Sequence, residues 1–151
     1  MRGVLFIVVL FHFSYIQAQV AWVYESEYSV GRKILESYDG GTLILATVDW
    51  QLGDGRLFKL NKMGEVLWEY KVTDDTESLS ASKLEELTNG DILIGGRTYK
   101  YDSWGDAFLM KLDACGNLIW FQDYGLQGEL DQLHGIIPDE DGSIFILQSI
   151  G

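Results

Sequence analysis

The chain has 151 residues, 47% of them hydrophobic and 13% aromatic, which is enough apolar material for a packed domain and excludes disorder through low hydrophobicity. Seventeen Gly against one Pro suit many tight turns between strands rather than a flexible linker. Eleven Lys+Arg against 23 Asp+Glu give a net charge of −12, with no basic run from which nucleic-acid or anionic-membrane binding would start.

The first element is an export signal. Met1-Arg2 supplies a short positive start, Val4 to Phe11 is an unbroken apolar run (VLFIVVLF), and a more polar stretch ends at the small residue Ala18. That layout predicts a secretory signal peptide over 1–18, with a core too short to span a bilayer. The alternative is a buried first strand. No Cys follows the run, so a lipid anchor is not expected. Cleavage removes Arg2 and no acidic residue, leaving 10 Lys+Arg against 23 Asp+Glu, or −13. The expectation is a secreted or cell-surface protein with no stable membrane insertion once the signal is gone. Cys115 is the single cysteine and can form no internal disulfide, so packing alone holds the fold.

Self-similarity sets the rest. An aliphatic residue stands six positions before a turn glycine three times: Ile34 before Gly40, Leu84 before Gly90, Ile136 before Gly142. An apolar run follows each glycine. A second block repeats at an offset of 52, pairing Asp54 with Asp106, Lys59 with Lys111, Gly64 with Gly116 and Trp68 with Trp120. Between the blocks the second copy is longer by two residues, which marks a loop.

Each unit reads as four short strands. Asp39-Gly40 and Asn89-Gly90 are two-residue turn signals for one hairpin, and Gly64 marks the second. Val66, Trp68, Tyr70 and Val72 alternate with Glu65, Leu67, Glu69 and Lys71, the period of a strand with one wholly apolar face. The stretch 80–87 comes nearest to an amphipathic helix, but the repeat overrides it. Four strands in roughly fifty residues, recurring, predict an all-β fold: a partial β-propeller of four-stranded antiparallel blades, about two and a half repeats. The expected organisation is a signal peptide over 1–18, the closing strand of an incomplete blade over 19–33, blade repeats over 34–83 and 84–135, and a partial third repeat over 136–151. The closing strand rests on Val20–Tyr24, which resembles the block around Trp68 and Tyr70. Because a closed propeller needs roughly four to eight blades, the chain is expected to be part of a longer one, with association of several chains into a ring as the alternative.

The Asp-Gly-Gly turn, the Gly-Asp pair and the run Lys111-Leu112-Asp113-Ala114-Cys115-Gly116-Asn117-Leu118-Ile119-Trp120, followed by Tyr124-Gly125, resemble a repeat of secreted bacterial β-propeller proteins. The likeness covers residues 22–151. The first copy departs by carrying Asn61 for Asp and lacking the Tyr-Gly. The resemblance implies a C-terminal sorting domain in the whole protein. The same segment is more weakly similar to the tryptophan-docking repeats of quinoprotein-like propellers, which implies that Trp68 and Trp120 pack between neighbouring blades.

No catalytic constellation stands out. Calcium at Asp49, Asp54, Asp102, Asp106 or Asp113 would need ligands at alternate positions of one loop, and turn or cap roles suit these residues better. Lys59 and Lys111 read as solvent-facing or blade-edge lysines that blunt sheet pairing. His134, the one histidine beyond the signal peptide, reads as a loop residue without a partner for zinc or for a nucleophile. Trp50, Tyr99, Tyr101 and Trp104 fall in the length-variable connection, where aromatics on a rigid scaffold would form a ligand surface, including for sugars. The remaining repeated positions, Gly40, Gly64, Trp68, Gly90, Gly116, Trp120 and Gly142, read as structural anchors. The functional expectation is a non-enzymatic binding module without cofactor or metal, meeting protein or carbohydrate at its blade loops. Part of an exported propeller enzyme, quinoprotein-like or glycan-active, is the alternative.

Overall fold

The computed structural model describes residues 29–48, 54–73, 78–99, 105–125 and 129–150. The segment expected to be a signal peptide and the closing strand expected at Val20–Tyr24 lie outside them. Among the described residues every regular element is a strand, and no helix is long and apolar enough to cross a membrane. The first sheet holds β1 (Ser29–Glu36), β2 (Thr42–Val48), β3 (Asp54–Leu60) and β4 (Val66–Val72); the second holds β5 (Ser78–Glu86), β6 (Ile92–Tyr99), β7 (Ala107–Leu112) and β8 (Leu118–Tyr124). β9 (Asp131–Pro138) and β10 (Ile144–Ile150) form a two-stranded third. Strands follow one another in chain order within each sheet, and all pairing is antiparallel. The aligned aliphatic residues 34, 84 and 136 fall inside β1, β5 and β9, so units counted from them begin in mid-strand.

The hairpin loops are one residue longer than their dipeptides suggest. Asp-Gly and Asn-Gly predict two-residue turns, but each loop has three residues. Gly40 N–H donates to the Ser37 carbonyl (2.7 Å), and Ser37 N–H donates to the Gly41 carbonyl (3.0 Å). The same pair of bonds closes the turns at Gly64, Gly90, Gly116 and Gly142, where the glycine φ values run from 82° to 90°. A left-handed glycine after the turn restores the strand twist, and that is the glycine's role here.

The polar turn residues divide by hairpin. Before β2, β6 and β10 an Asx residue stands second in the loop: Asp39, Asn89 and Asp141 accept from Gly41, Asp91 and Ser143 N–H at 2.8, 3.1 and 2.8 Å. Before β4 and β8 it precedes the loop and accepts twice. Asn61 Oδ1 takes Met63 and Glu65 N–H (2.8 and 3.0 Å), and Asp113 Oδ1 takes Cys115 and Asn117 N–H (2.9 and 2.8 Å). This accounts for Asp113 as a turn residue and places Cys115 in an exposed loop.

Each first strand carries a bulge at the same repeat position. Arg32, Ser82 and His134 are the residues left unpaired between Gly31 and Lys33, Ala81 and Lys83, and Leu133 and Gly135. The extra residue inverts the side-chain alternation. Leu79 and Ala81 before it and Leu84 after it therefore all point into the same core, with exposures of 1%, 0% and 0%. His134 is thus an exposed strand residue at a bulge, its Nε2 2.9 Å from Ser149 Oγ, which corrects the loop reading.

The sheets stack face to face. The larger core joins Leu43, Leu45, Leu57 and Val72 of the first sheet to Leu84, Ile92, Ile94 and Phe108 of the second. Phe108 stacks on Phe121 at 5.6 Å. On the other face of the second sheet Leu93, Ala107 and Leu109 meet Leu133 and Ile136 of β9. The second sheet is covered on both faces, which is why Ile92, Leu93 and Ile94 of β6 are apolar and buried at consecutive positions. Each buried large aliphatic contributes on the order of 1.5–3 kcal/mol. Trp68 lies at the first seam, where a Cβ on Gly116 would stand 3.1 Å from its ring, and Trp120 is half-buried against the second core.

Candidate functional site

Two places carry chemistry beyond packing: a buried charge cluster between the first two sheets, and the open end of β6. The cluster forms where β3 passes under the β1–β2 turn. Lys59 is 5% exposed on an interior strand, so it neither faces solvent nor guards an edge, and the edge-lysine reading is corrected. Its Nζ donates to Ser37 Oγ and pairs with Asp39 Oδ2 at 3.0 Å and Glu86 Oε1 at 3.5 Å. Glu86 belongs to the second sheet; it also accepts from Ser37 Oγ (2.6 Å) and Tyr38 N–H (2.9 Å). One lysine thereby ties a turn, a strand and the neighbouring sheet together. A further cross-sheet pair, Lys33 to Glu85 at 2.6 Å, lies half-exposed beside it.

Lys111 repeats the device more simply. Its Nζ meets Asp91 Oδ2 at 2.8 Å, with side chains 21% and 15% exposed, more than those of Lys59 and Glu86. The carboxylate comes from a different turn position in the two sheets, before Gly40 in one and after Gly90 in the other. Both nonetheless lie 20 residues before their lysine, a spacing that the sequence displays and that simple repeat alignment hides.

These contacts set the local acidities. The Gly41 N–H, and then Lys59, hold Asp39 below the usual carboxylate value; Lys111 and then Asn89 do so for Asp91. Asp113 is lowered by the Asn117 side chain and the turn amides, and Asp141 by Ser143 N–H. Lowered folded values mean that these carboxylates add stability above their unfolded value, near 3.9, and lose it as pH falls through the folded values. Melting temperature measured by circular dichroism is therefore expected to be flat between about pH 6 and pH 5 and to fall below about pH 4. Asp113→Asn should flatten part of that acid limb, because Asn61 already serves the same turn in the first sheet. An acid limb unchanged by this substitution would assign the loss elsewhere.

At the end of β6, Tyr99 is 45% exposed and carries the Arg97 guanidinium over its ring at 4.3 Å. The base of the connection that follows is fixed. Thr98 N–H donates to the Asp106 carbonyl (2.8 Å), and Asp106 N–H donates back to Thr98 Oγ1 (3.1 Å). The Gly105 carbonyl accepts Asp131 N–H from β9 (3.1 Å), so the same base also anchors the third sheet. Asp106 itself packs against Gly125, where a Cβ would stand 2.2 Å from its Oδ1. That close approach requires the glycine of the Tyr124-Gly125 pair.

Of the four aromatics expected to form a ligand surface, Tyr99 alone lies among the described residues; Trp50, Tyr101 and Trp104 lie outside them. Among the described residues no three His, Cys, Asp or Glu converge as metal ligands would. Neither a protein-family model nor a curated protein sequence matches the chain.

Proposed function

We propose that this chain is a binding module of an exported protein, its sheets the blades of a partial β-propeller, with contacts made at the connections between second and third strands. The observation that carries the reading is the exposed Tyr99, stacked on half-buried Arg97, at the mouth of the one connection that differs in length between the repeats. The repeated polar residues are engaged elsewhere, in turns and in the lysine clusters, so the variable connection is where the chain departs from its own framework. A tyrosine ring braced by a guanidinium offers an apolar face beside charged N–H donors. That chemistry suits a sugar ring or a carboxylate-bearing partner. Blades are supported by the four-stranded chain-order sheets, each overlaid by the first strand of the next. Export is supported by the charged start, apolar core and small residue that end at Ala18.

The test is a glycan array of neutral and acidic oligosaccharides probed with the exported chain. Tyr99→Ala and Trp104→Ala are each expected to weaken binding about tenfold or more, equivalent to ~1.4 kcal/mol, without changing the circular dichroism spectrum. No glycan bound, or binding indifferent to both substitutions, would sink the sugar reading.

A further inference from the structure

The cations on interior strands show which of them is unspent. On β3 Arg56 pairs with Glu69, and Lys59 with Asp39 and Glu86; on β7 Lys111 pairs with Asp91. Arg97 is the cation of β6, and among the described residues no carboxylate pairs with it. In a chain with 23 Asp+Glu against 11 Lys+Arg, a half-buried guanidinium without such a partner is the exception. Its stem is held all the same: a Cβ on Gly105 would stand 3.3 Å from Arg97 Cγ, and the guanidinium lies over the Tyr99 ring at 4.3 Å. That contact runs to a ring rather than to an oxygen, so the N–H fork that fits a carboxylate keeps its capacity. The corner also departs from the repeat. Ser80 pairs with Arg97 and Ser78 with Tyr99 across β5 and β6, which puts two hydroxyls, a guanidinium and a ring on one face. The pair matching Ser80 and Arg97 in the first sheet is Val30 and Thr47, and there the Thr47 hydroxyl is taken by Arg32 Nε at 2.9 Å.

We propose that this corner selects sugars that carry a single carboxylate. Arg97 takes the carboxylate through paired N–H donors, the exposed Tyr99 ring takes the C–H face of the sugar, and Ser78 and Ser80 take its hydroxyls. A planar carboxylate matches the planar fork of the guanidinium, which is what a neutral sugar lacks. The charge balance sets the number of acids. A chain at −12 repels a ligand with many negative charges, so one carboxylate on one guanidinium is the combination it accepts. The inference rests on the loop-binding reading and narrows its ligand class.

Calorimetric titration of the purified chain decides it. The probes are disaccharides ending in glucuronate or galacturonate, each compared with its carboxyl-reduced counterpart, which keeps the ring and loses the acid. The acids are expected to bind at least about tenfold more tightly than their reduced forms. Arg97→Gln should erase that preference, and Arg97→Lys should keep only part of it, since the charge remains and the fork is lost. Tyr99→Ala should weaken both members of a pair and leave their ratio unchanged. Equal affinity for acid and reduced form overturns the inference and leaves the loop-binding reading standing. No binding of any acid also overturns it, and an empty glycan array besides overturns both. A tetraglutamate peptide that binds through Arg97 where the sugars do not would make the partner an acidic peptide and refute the sugar. If Arg97→Gln fails to fold, the comparison of acid with reduced form on the unaltered chain decides alone.

Discussion

Replacing Lys59 by Ala is expected to lower the free energy of unfolding by about 3–5 kcal/mol, the cost of removing one partner from a buried ion pair. The side chains of Lys59 and Glu86 are 7% and 5% exposed, so water screens neither. Without the ammonium, Glu86 keeps two donors, Ser37 Oγ and Tyr38 N–H, but faces Asp39 with no intervening positive charge. The double change Lys59→Met with Glu86→Gln should recover much of the loss, because both charges are then gone together. Lys111→Ala provides the contrast. Its pair with Asp91 has one carboxylate and more solvent, so about 1 kcal/mol is expected. Urea unfolding followed by tryptophan fluorescence measures all four proteins. Equal, small losses for the two lysines would mean that the cluster is as well hydrated as a surface pair.

Much of the fold was legible because each turn advertises itself. The glycines at 40, 64, 90, 116 and 142 all adopt the left-handed conformation, and the strands fall between them as the spacing requires. The turn type was not legible from a dipeptide, since Asp-Gly serves two-residue and three-residue loops alike. The helix-like spacing over 80–87 has a specific cause. A bulge at Ser82 shifts the strand alternation, so Ala81 and Leu84 share a face three residues apart, which is also a helical interval. A residue in mid-strand can be placed on the wrong face for the same reason.

The lysine cluster was hidden by a more general limit. Lys59 sits on a third strand, and whether such a strand is interior or at an edge depends on what pairs beyond it. Its partners come from a turn 20 residues back and a strand 27 residues on. Only the fold brings Glu86 under the first sheet. Tyr99 was legible as an aromatic in a variable connection, but its stacking with Arg97 depends on both residues lying on one face of β6, two positions apart.

The repeat also sets an opposed pair of outcomes at one cross-strand position. In the first sheet Gly31 pairs with Ala46; in the second Ala81 pairs with Gly96, so glycine and alanine have exchanged strands. At Gly96 a Cβ would stand 2.0 Å from the Ser80 carbonyl oxygen and 2.9 Å from the Ala81 Cα. Both are backbone atoms beside the bulge, and neither can swing aside. Gly96→Ala should therefore force β5 and β6 apart and cost at least about 3 kcal/mol, the upper end of overpacking. The damage reaches further than one pair, because Leu79, Ala81 and Leu84 of β5 line the seam with the first sheet. Gly31 has nothing within 4 Å of its added Cβ. Gly31→Ala should accordingly stabilise by about 0.4–1 kcal/mol, through the lost freedom of the unfolded chain. The decisive observation is the sign of the change in denaturation midpoint. A Gly96→Ala protein within about 0.5 kcal/mol of the parent would mean that β5 can slide outward at that bulge, and that the seam behind it is looser than its complete burial implies.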